Sequence, residues 1–297
     1  MIIKNEKDVT RAVLEVMEQT TDPRLRKIMT SLIEHLHGFV RDVELTEKEF
    51  RAATELLNDI GQHKTNTHNE MVLMAGSLGV SSLVCLLNNG NDGQLETKQS
   101  MLGPFWRLNS PRTKNGESIV RSKTPGACVF VDLYYVDIEG TPVVGVEVDV
   151  WHASTVGLYE SQDPTQADMN LRGKFTTDET GHAWFSSIKP SGYPIPTDGV
   201  VGKLLAAQNR HPFRPAHLHA LAFKEGFKTL ISQIYSEDDE KLESDVQFGV
   251  TEALIARYQR HDEPHPGDSS IEVPWYAMNC TLVLERGESE LPEPPIK

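Results

Sequence analysis

The chain changes its hydrophobic period about a third of the way along, and that change limits what it can fold into. Between residues 6 and 90 apolar residues recur every three or four positions, with Leu25, Ile28, Met29, Leu32, Leu36 and Phe39 on one helical face that must be buried. From residue 129 the period drops to two. Val129, Val131, Leu133 and Tyr135 alternate, Glu139-Gly140-Thr141-Pro142 turns the chain, and Val144, Val146, Val148 and Val150 alternate again. Alternation sends one face of a strand into a core, and these two runs are expected to pair as a hairpin. Further strands are expected near 183–188, 216–223, 230–235 and 278–284, separated by loops rich in Pro and Gly. The fold class is therefore α+β: a helical segment over residues 1–95, then an antiparallel β-sandwich over residues 96–297 with long loops. The boundary falls at the turn-forming cluster Asn88-Asn89-Gly90-Asn91-Asp92-Gly93.

The helical part carries its own start signals. Asp22-Pro23 puts a capping side chain before a proline at the first helical position. Thr46-Glu47-Lys48-Glu49 and Thr67-His68-Asn69-Glu70 fit the capping box. The apolar run from residue 71 to 87 reads as a buried helix, because it contains Ser77, Ser81 and Ser82 and is shorter than the roughly 20 residues that a membrane span needs. Nothing in this part looks catalytic, so it is expected to be an interaction or dimerisation element.

A net charge of −14 argues against a nucleic-acid partner, which calls for a basic face, and does not favour an anionic membrane surface. Cys85, Cys128 and Cys280 are widely spaced, with no Cys-x-x-Cys, and the N-terminus has no secretory signal. A reducing, cytoplasmic setting with buried free thiols follows as the expectation.

Arg214-Pro215-Ala216-His217-Leu218-His219-Ala220 is the stretch most suggestive of chemistry. On a strand, residues i and i+2 share a face, so His217 and His219 can reach one metal ion while Leu218 enters the opposite layer. Imidazole suits zinc, copper, iron and nickel, and the spacing alone names none of them. The same residues also fit two histidines in solvent or in a satisfied core. His35-Leu36-His37 has the same spacing but lies on a predicted helix, where i and i+2 diverge, and is read as structural.

Two long loops, over residues 157–172 and 190–214, hold Gly157-Leu158-Tyr159 and Ser191-Gly192-Tyr193-Pro194-Ile195-Pro196-Thr197-Asp198-Gly199. Together with Trp151-His152-Ala153-Ser154 and the His-x-His stretch, in this order and spacing, they resemble the intradiol ring-cleavage dioxygenases, non-haem iron(III) enzymes that open catechols between their two hydroxyls. The resemblance runs from about residue 102 to 262 and extends to the helical N-terminus. It implies one Fe(III) per chain, with Tyr159 and His217 as equatorial ligands and Tyr193 and His219 as axial ones. It also implies that Tyr193 takes a substrate proton, that Arg214 stabilises negative charge developing on the substrate, and that Gln233 stands beside the iron. Two phenolates suit a hard trivalent ion, whereas zinc usually takes Cys, His and carboxylate.

The family further implies a small aromatic diol or triol and O2 as substrates, with pocket residues Leu73, Gly76, Pro104, Phe105 and Trp106. The segments Tyr193-Pro194-Ile195-Pro196-x-Asp198-Gly199, Val201-Gly202-x-Leu204-Leu205 and Asp245-x-x-Phe248-Gly249-Val250 are similar to the hydroxyquinol 1,2-dioxygenase branch and its fungal-type catechol relatives, and Met169-Asn170-Leu171-Arg172-Gly173 is closer to catechol 1,2-dioxygenases. Gly76 matches neither the acid of the first nor the proline of the second, and its missing side chain is expected to leave room for a ring substituent. Hydroxyquinol or a substituted catechol is thus favoured over catechol. A homodimer through the N-terminal helices, with a phospholipid at its interface, also follows from the resemblance. Two rivals remain: a non-catalytic β-sandwich that binds a metal or phenol, and a zinc hydrolase using His217, His219 and either Glu160 or His211.

Overall fold

The computed structural model describes residues 2–64, 69–89 and 96–295. Helices are α1 (Glu6–Met17), α2 (Pro23–Asp42), α3 (Glu47–Gln62), α4 (Glu70–Ser77), α5 (Val80–Asn89) and α6 (Val200–Ala207). Strands are β1 (Cys128–Asp137), β2 (Glu147–Trp151), β3 (Arg172–Thr176), β4 (His182–Ile188), β5 (Tyr193–Pro194) and β6 (Phe213–Arg214), followed by β7 (His217–Phe223), β8 (Leu230–Ser236), β9 (Ile255–Ala256), β10 (Tyr258–His261) and β11 (Trp275–Leu284). The chain divides into two compact units, residues 1–59 and 60–297.

In the first unit the predicted caps form. Asp22 accepts the backbone N–H groups of Arg24 and Leu25, and Thr46 and Glu49 satisfy each other's N–H groups as a capping box does. The two histidines of α2 diverge: His37 meets the Thr10 hydroxyl at 2.9 Å, whereas His35 bonds back to the Ser31 carbonyl at 2.8 Å. The apolar face of α2 is not buried within the chain, where Leu25, Ile28, Leu32, Leu36 and Phe39 all stand about half exposed.

In the second unit the run from 71 to 87 is two helices rather than one. Gly79, at φ +73°, ends α4 as a left-handed residue that glycine adopts without strain, and α5 leaves at 76° to it. Met71, Val72, Leu83, Val84 and Leu87 are exposed, so this pair is not the buried helix that its composition suggested. No single helix among the described residues is long and apolar enough to cross a membrane. Asn69 caps α4; Thr67 and His68 of the expected box, and most of the turn cluster after Asn89, lie outside the described residues.

Two sheets face each other, in the orders β10-β11-β1-β4 and β3-β2-β7-β8-β9. Most pairings are antiparallel, but β1 with β11 and β8 with β9 are parallel, so the sandwich is mixed rather than purely antiparallel. The expected hairpin also resolves differently. The turn closes, with Asp137 N–H on the Thr141 carbonyl and Val143 N–H on the Tyr135 carbonyl, but at Gly145 (φ +70°) the chain crosses to the other sheet. There β2 pairs with β3 and β7. Alternation identifies the buried face and not the neighbour: Val129, Val131, Leu133 and Tyr135 meet Val146, Val148 and Val150 across one core instead of along one ladder.

A buried polar link joins the sheets. His152, just after β2, sits with Nδ1 2.8 Å from the Ala153 carbonyl, to which it donates, and Nε2 2.7 Å from the Ser187 hydroxyl of β4. Burial pushes its pKa down to about 4. A histidine that is harder to protonate folded than unfolded stabilises the fold above its unfolded pKa, and this contribution is lost as pH falls from about 6.5 towards 4. The stability advantage of the wild type over His152→Gln is therefore expected to shrink by about 3 kcal/mol between pH 7 and pH 4, as measured by urea denaturation.

Candidate metal centre and active site

Strand β7 is paired on both sides, with β2 and with β8. Leu218 enters the core between the sheets, while His217 and His219 point away from it. His219 lies in register with Trp151 of β2 and Gln233 of β8, and its ring stacks on Trp151 at 4.6 Å with 9° between planes. His217 lies opposite Tyr235. Its Nδ1 donates to the Pro215 carbonyl at 2.7 Å, which leaves the Nε2 lone pair facing the site.

The two long loops bring the tyrosines to the same point. Tyr159 follows β2, and Tyr193 is held by pairing of β5 with β6, in which it faces Arg214. The Tyr159 hydroxyl is 3.3 Å from the Tyr193 hydroxyl and 3.1 Å from His219 Nε2; the Tyr193 hydroxyl is 3.5 Å from His217 Nε2. Spacings of 3.1 to 3.5 Å are those of donors that share one ion with bonds of about 2 Å. Among the described residues no group of three or more His, Cys, Asp or Glu side chains could hold a metal, so a metal at this point would have to draw on the phenols.

Electrostatics fit the same reading. Burial lowers His217 to about 3, helped by the Arg214 charge, and holds His219 well below its ordinary value, so both imidazoles are neutral as ligation requires. Burial raises the phenols of Tyr159 and Tyr193, while the Arg214 guanidinium pulls both down. A bound cation is what would ionise them.

Arg214 is buried beside the rings, with Nη1 3.5 Å from His217 Nε2. Its Nη2 donates to Gln233 Oε1 at 2.8 Å and to the Tyr235 hydroxyl at 2.9 Å, and Asp245 accepts from both Nε and Nη2. Gln233 in turn donates to the Met101 carbonyl. The segment after Met101 covers the site. Gly103, at φ +75°, approaches His219 so closely that a Cβ there would lie 3.1 Å from its Cε1, and Phe105 stacks on Tyr159 at 4.3 Å. Trp106 packs in the same cluster and donates to Asp149 at 3.1 Å, whereas Pro104 is exposed.

Leu73 and Gly76 lie on α4, where Leu73 packs against Ile195, Val201, Leu205 and Val246. The space expected beside Gly76 is taken: a Cβ there would meet the Gln247 amide at 3.0 Å. Glu160 is committed to Arg172 at 2.7 Å and Arg107 at 2.9 Å, and His211 accepts the Phe213 N–H, so neither joins the histidine pair. Tyr235, Asp245 and Gln247 went unassigned in the sequence. Tyr235 had a signal, being two residues beyond Gln233 on the same face; Asp245 reaches Arg214 only through the fold.

Residues 22–95 match the model of the catechol dioxygenase N terminus, and residues 101–279 match the dioxygenase model that goes with it. The chain belongs to the intradiol ring-cleavage dioxygenases, a family of oxidoreductases. It is 39% identical to a hydroxyquinol 1,2-dioxygenase of Rhizobium sp. (strain MTP-10005) over 87% of each chain. It is 34% identical to a catechol 1,2-dioxygenase of Candida albicans, over 85% of this chain and 84% of that one. The crystal structure of a hydroxyquinol 1,2-dioxygenase from Pseudomonas putida DLL-E4 superposes with a TM-score of 0.88 at 34% identity, covering 95% of this chain and 99% of that one.

The contact of Gly103 with His219 yields a test. Gly103→Ala forces both a strained φ and a clash with the ring, and is expected to lower metal affinity about tenfold in a chelator competition, with the fold retained by circular dichroism.

Proposed function

We propose that this protein is an iron(III) dioxygenase that opens an aromatic ring between two adjacent hydroxyls, with hydroxyquinol (benzene-1,2,4-triol) or a substituted catechol as its substrate. The observation that carries the reading is the meeting of two phenols and two neutral imidazoles at one buried point beside a fixed guanidinium. Tyr159, Tyr193, His217 and His219 hold one iron per chain. Iron(III), when bound, supplies the charge that acidifies both its tyrosines and the substrate hydroxyls and so makes the ring electron-rich.

The chain's own residues do the rest. Tyr193 Oη receives a proton from a substrate hydroxyl, a general-base role. Arg214 Nη1 faces the reacting ring and stabilises the negative charge that develops there, in a position set before the reaction begins. Gln233 holds Arg214 from the opposite side. Phe105, Trp106 and Trp151 close the site to water. Both atoms of O2 enter the product, maleylacetate from hydroxyquinol, so no external reductant is consumed.

Support for a triol comes from Gln247. Its amide fills the space beside Gly76 and makes no hydrogen bond within the described residues, leaving it available to a polar ring substituent. Catechol, giving cis,cis-muconate, is the second reading, favoured by the Candida relative. A non-catalytic binding module is disfavoured because it needs no buried guanidinium fixed beside the rings. The exposed apolar face of α2 supports a homodimer through the helical segment, residues 1–95, with residues 96–297 as the catalytic domain. The exposed apolar residues of α4 and α5 suit a phospholipid acyl chain.

Visible spectroscopy of the iron-loaded protein is the direct test, with catechol and then hydroxyquinol added without oxygen. A tyrosinate-to-iron band that shifts with substrate is expected; a protein that stays colourless after iron loading would overturn the reading. Tyr159→Phe is expected to lose most of that colour, and Tyr193→Phe to keep its iron while kcat falls about a hundredfold or more. Gln247→Leu removes one hydrogen-bonding group and is expected to shift kcat/KM about fivefold from hydroxyquinol towards catechol.

A further inference from the structure

We propose that Asp245 is a positioning residue that aims Arg214 at the reacting ring. The inference rests on the role given to Arg214 above. A guanidinium is planar, so fixing two of its three nitrogens fixes the direction of the third. Asp245 Oδ1 accepts from Nε at 3.1 Å and Oδ2 accepts from Nη2 at 3.0 Å, a two-pronged grip on one edge. Nη2 is taken up further by Gln233 and Tyr235. Only Nη1 is left, and it points at His217 Nε2 and the donor cluster.

The carboxylate is itself held. Asp245 Oδ1 accepts the Gln247 N–H at 3.2 Å and Oδ2 accepts the Gly249 N–H at 2.9 Å, so a tight turn grips it from behind. Phe248 adopts a left-handed conformation (φ 54°) within that turn. Gly249 admits the arrangement because it lacks a side chain: a Cβ there would lie 2.6 Å from the Tyr235 hydroxyl and 2.9 Å from Arg214 Nη2. Asp245 and Arg214 are both buried, so neither bond is shared with solvent. Tyr235 completes the lock by donating to Gln233 Oε1 at 2.7 Å while accepting from Nη2. Loop and sheet thus converge on one cation and leave it a single outward-facing nitrogen.

A double-mutant cycle on the iron-loaded enzyme tests this. Asp245→Asn, Arg214→Ala and the double variant are compared by kcat per bound iron, KM and iron content. Asp245→Asn is expected to keep the tyrosinate-to-iron band and lower kcat about 10- to 100-fold, the cost of a misaimed group, with KM changed less. In the Arg214→Ala background the same substitution is expected to change kcat by less than about twofold, because Asp245 acts only through Arg214. An equal loss in both backgrounds, or an unchanged kcat in Asp245→Asn alone, overturns the proposal. Should Asp245→Asn fail to fold, Gly249→Ala displaces the same guanidinium while keeping the carboxylate, and the same non-additivity is expected of it. A readout independent of turnover is the Arg214 Nε–H proton in 15N spectra of the metal-free protein, assigned by its absence from Arg214→Lys. Slow exchange in the wild type and fast exchange in Asp245→Asn are expected; fast exchange in both overturns the grip. A wild type without iron, colour or activity would instead reject the dioxygenase reading itself and leave this last comparison standing.

Discussion

Four aromatic rings with polar tips are buried at one point, and much of the surrounding structure exists to make that burial tolerable. Polar groups taken out of water need partners. His217 gives its second nitrogen to the Pro215 carbonyl, whereas His219 Nδ1 is buried without a hydrogen-bond partner and its ring is held by stacking on Trp151, as that of Tyr159 is by Phe105. Each support also fixes an orientation, so the groups that stabilise the site are the ones that shape it. Strand β7 makes this economical: its even residue Leu218 belongs to the core while its odd neighbours belong to the chemistry.

Cations flank the phenols on two sides, and each is held by an acid. Arg214 is gripped by Asp245; Arg172, whose guanidinium carbon lies 6.0 Å from the centre of the Tyr159 ring, is bound through Nε by Glu160. An unpaired buried cation would be costly, and an isolated one would repel a metal ion. Pairing leaves the region close to neutral while keeping positive edges directed at the rings. Glu160 is thereby accounted for as a structural partner, not a metal ligand.

Much of this was legible in the sequence because it is local. A period of two identifies the buried face of a strand, and His-x-His on such a strand must present both rings together. Caps at Asp22 and Thr46 are likewise decided within four residues. Tyr159 and Tyr193 were legible only through resemblance, since nothing about a loop tyrosine states where its hydroxyl will end. What stayed hidden depends on contacts distant in the chain. The choice of β11 and β4, not β2, as neighbours of β1 is invisible to periodicity. So is the Gln247 amide against Gly76, which turns an apparent vacancy in the sequence into a filled and polar corner. Gly79 was readable as a glycine, but the sharp bend it permits between α4 and α5 was not.

The parallel pairing of β1 with β11 also governs the order in which the molecule can be built. Val129 is matched with Tyr276 and Asp137 with Leu284, so a central strand of one sheet waits for a partner that follows nearly 150 residues later. The other sheet is different, since β2, β3, β7 and β8 can pair as soon as residue 236 is available. During synthesis, then, the strand bearing the two histidines and its neighbours can assemble while β1 still presents one bare edge to its surroundings. The strand that carries both histidines can thus be in place before the core behind it has closed.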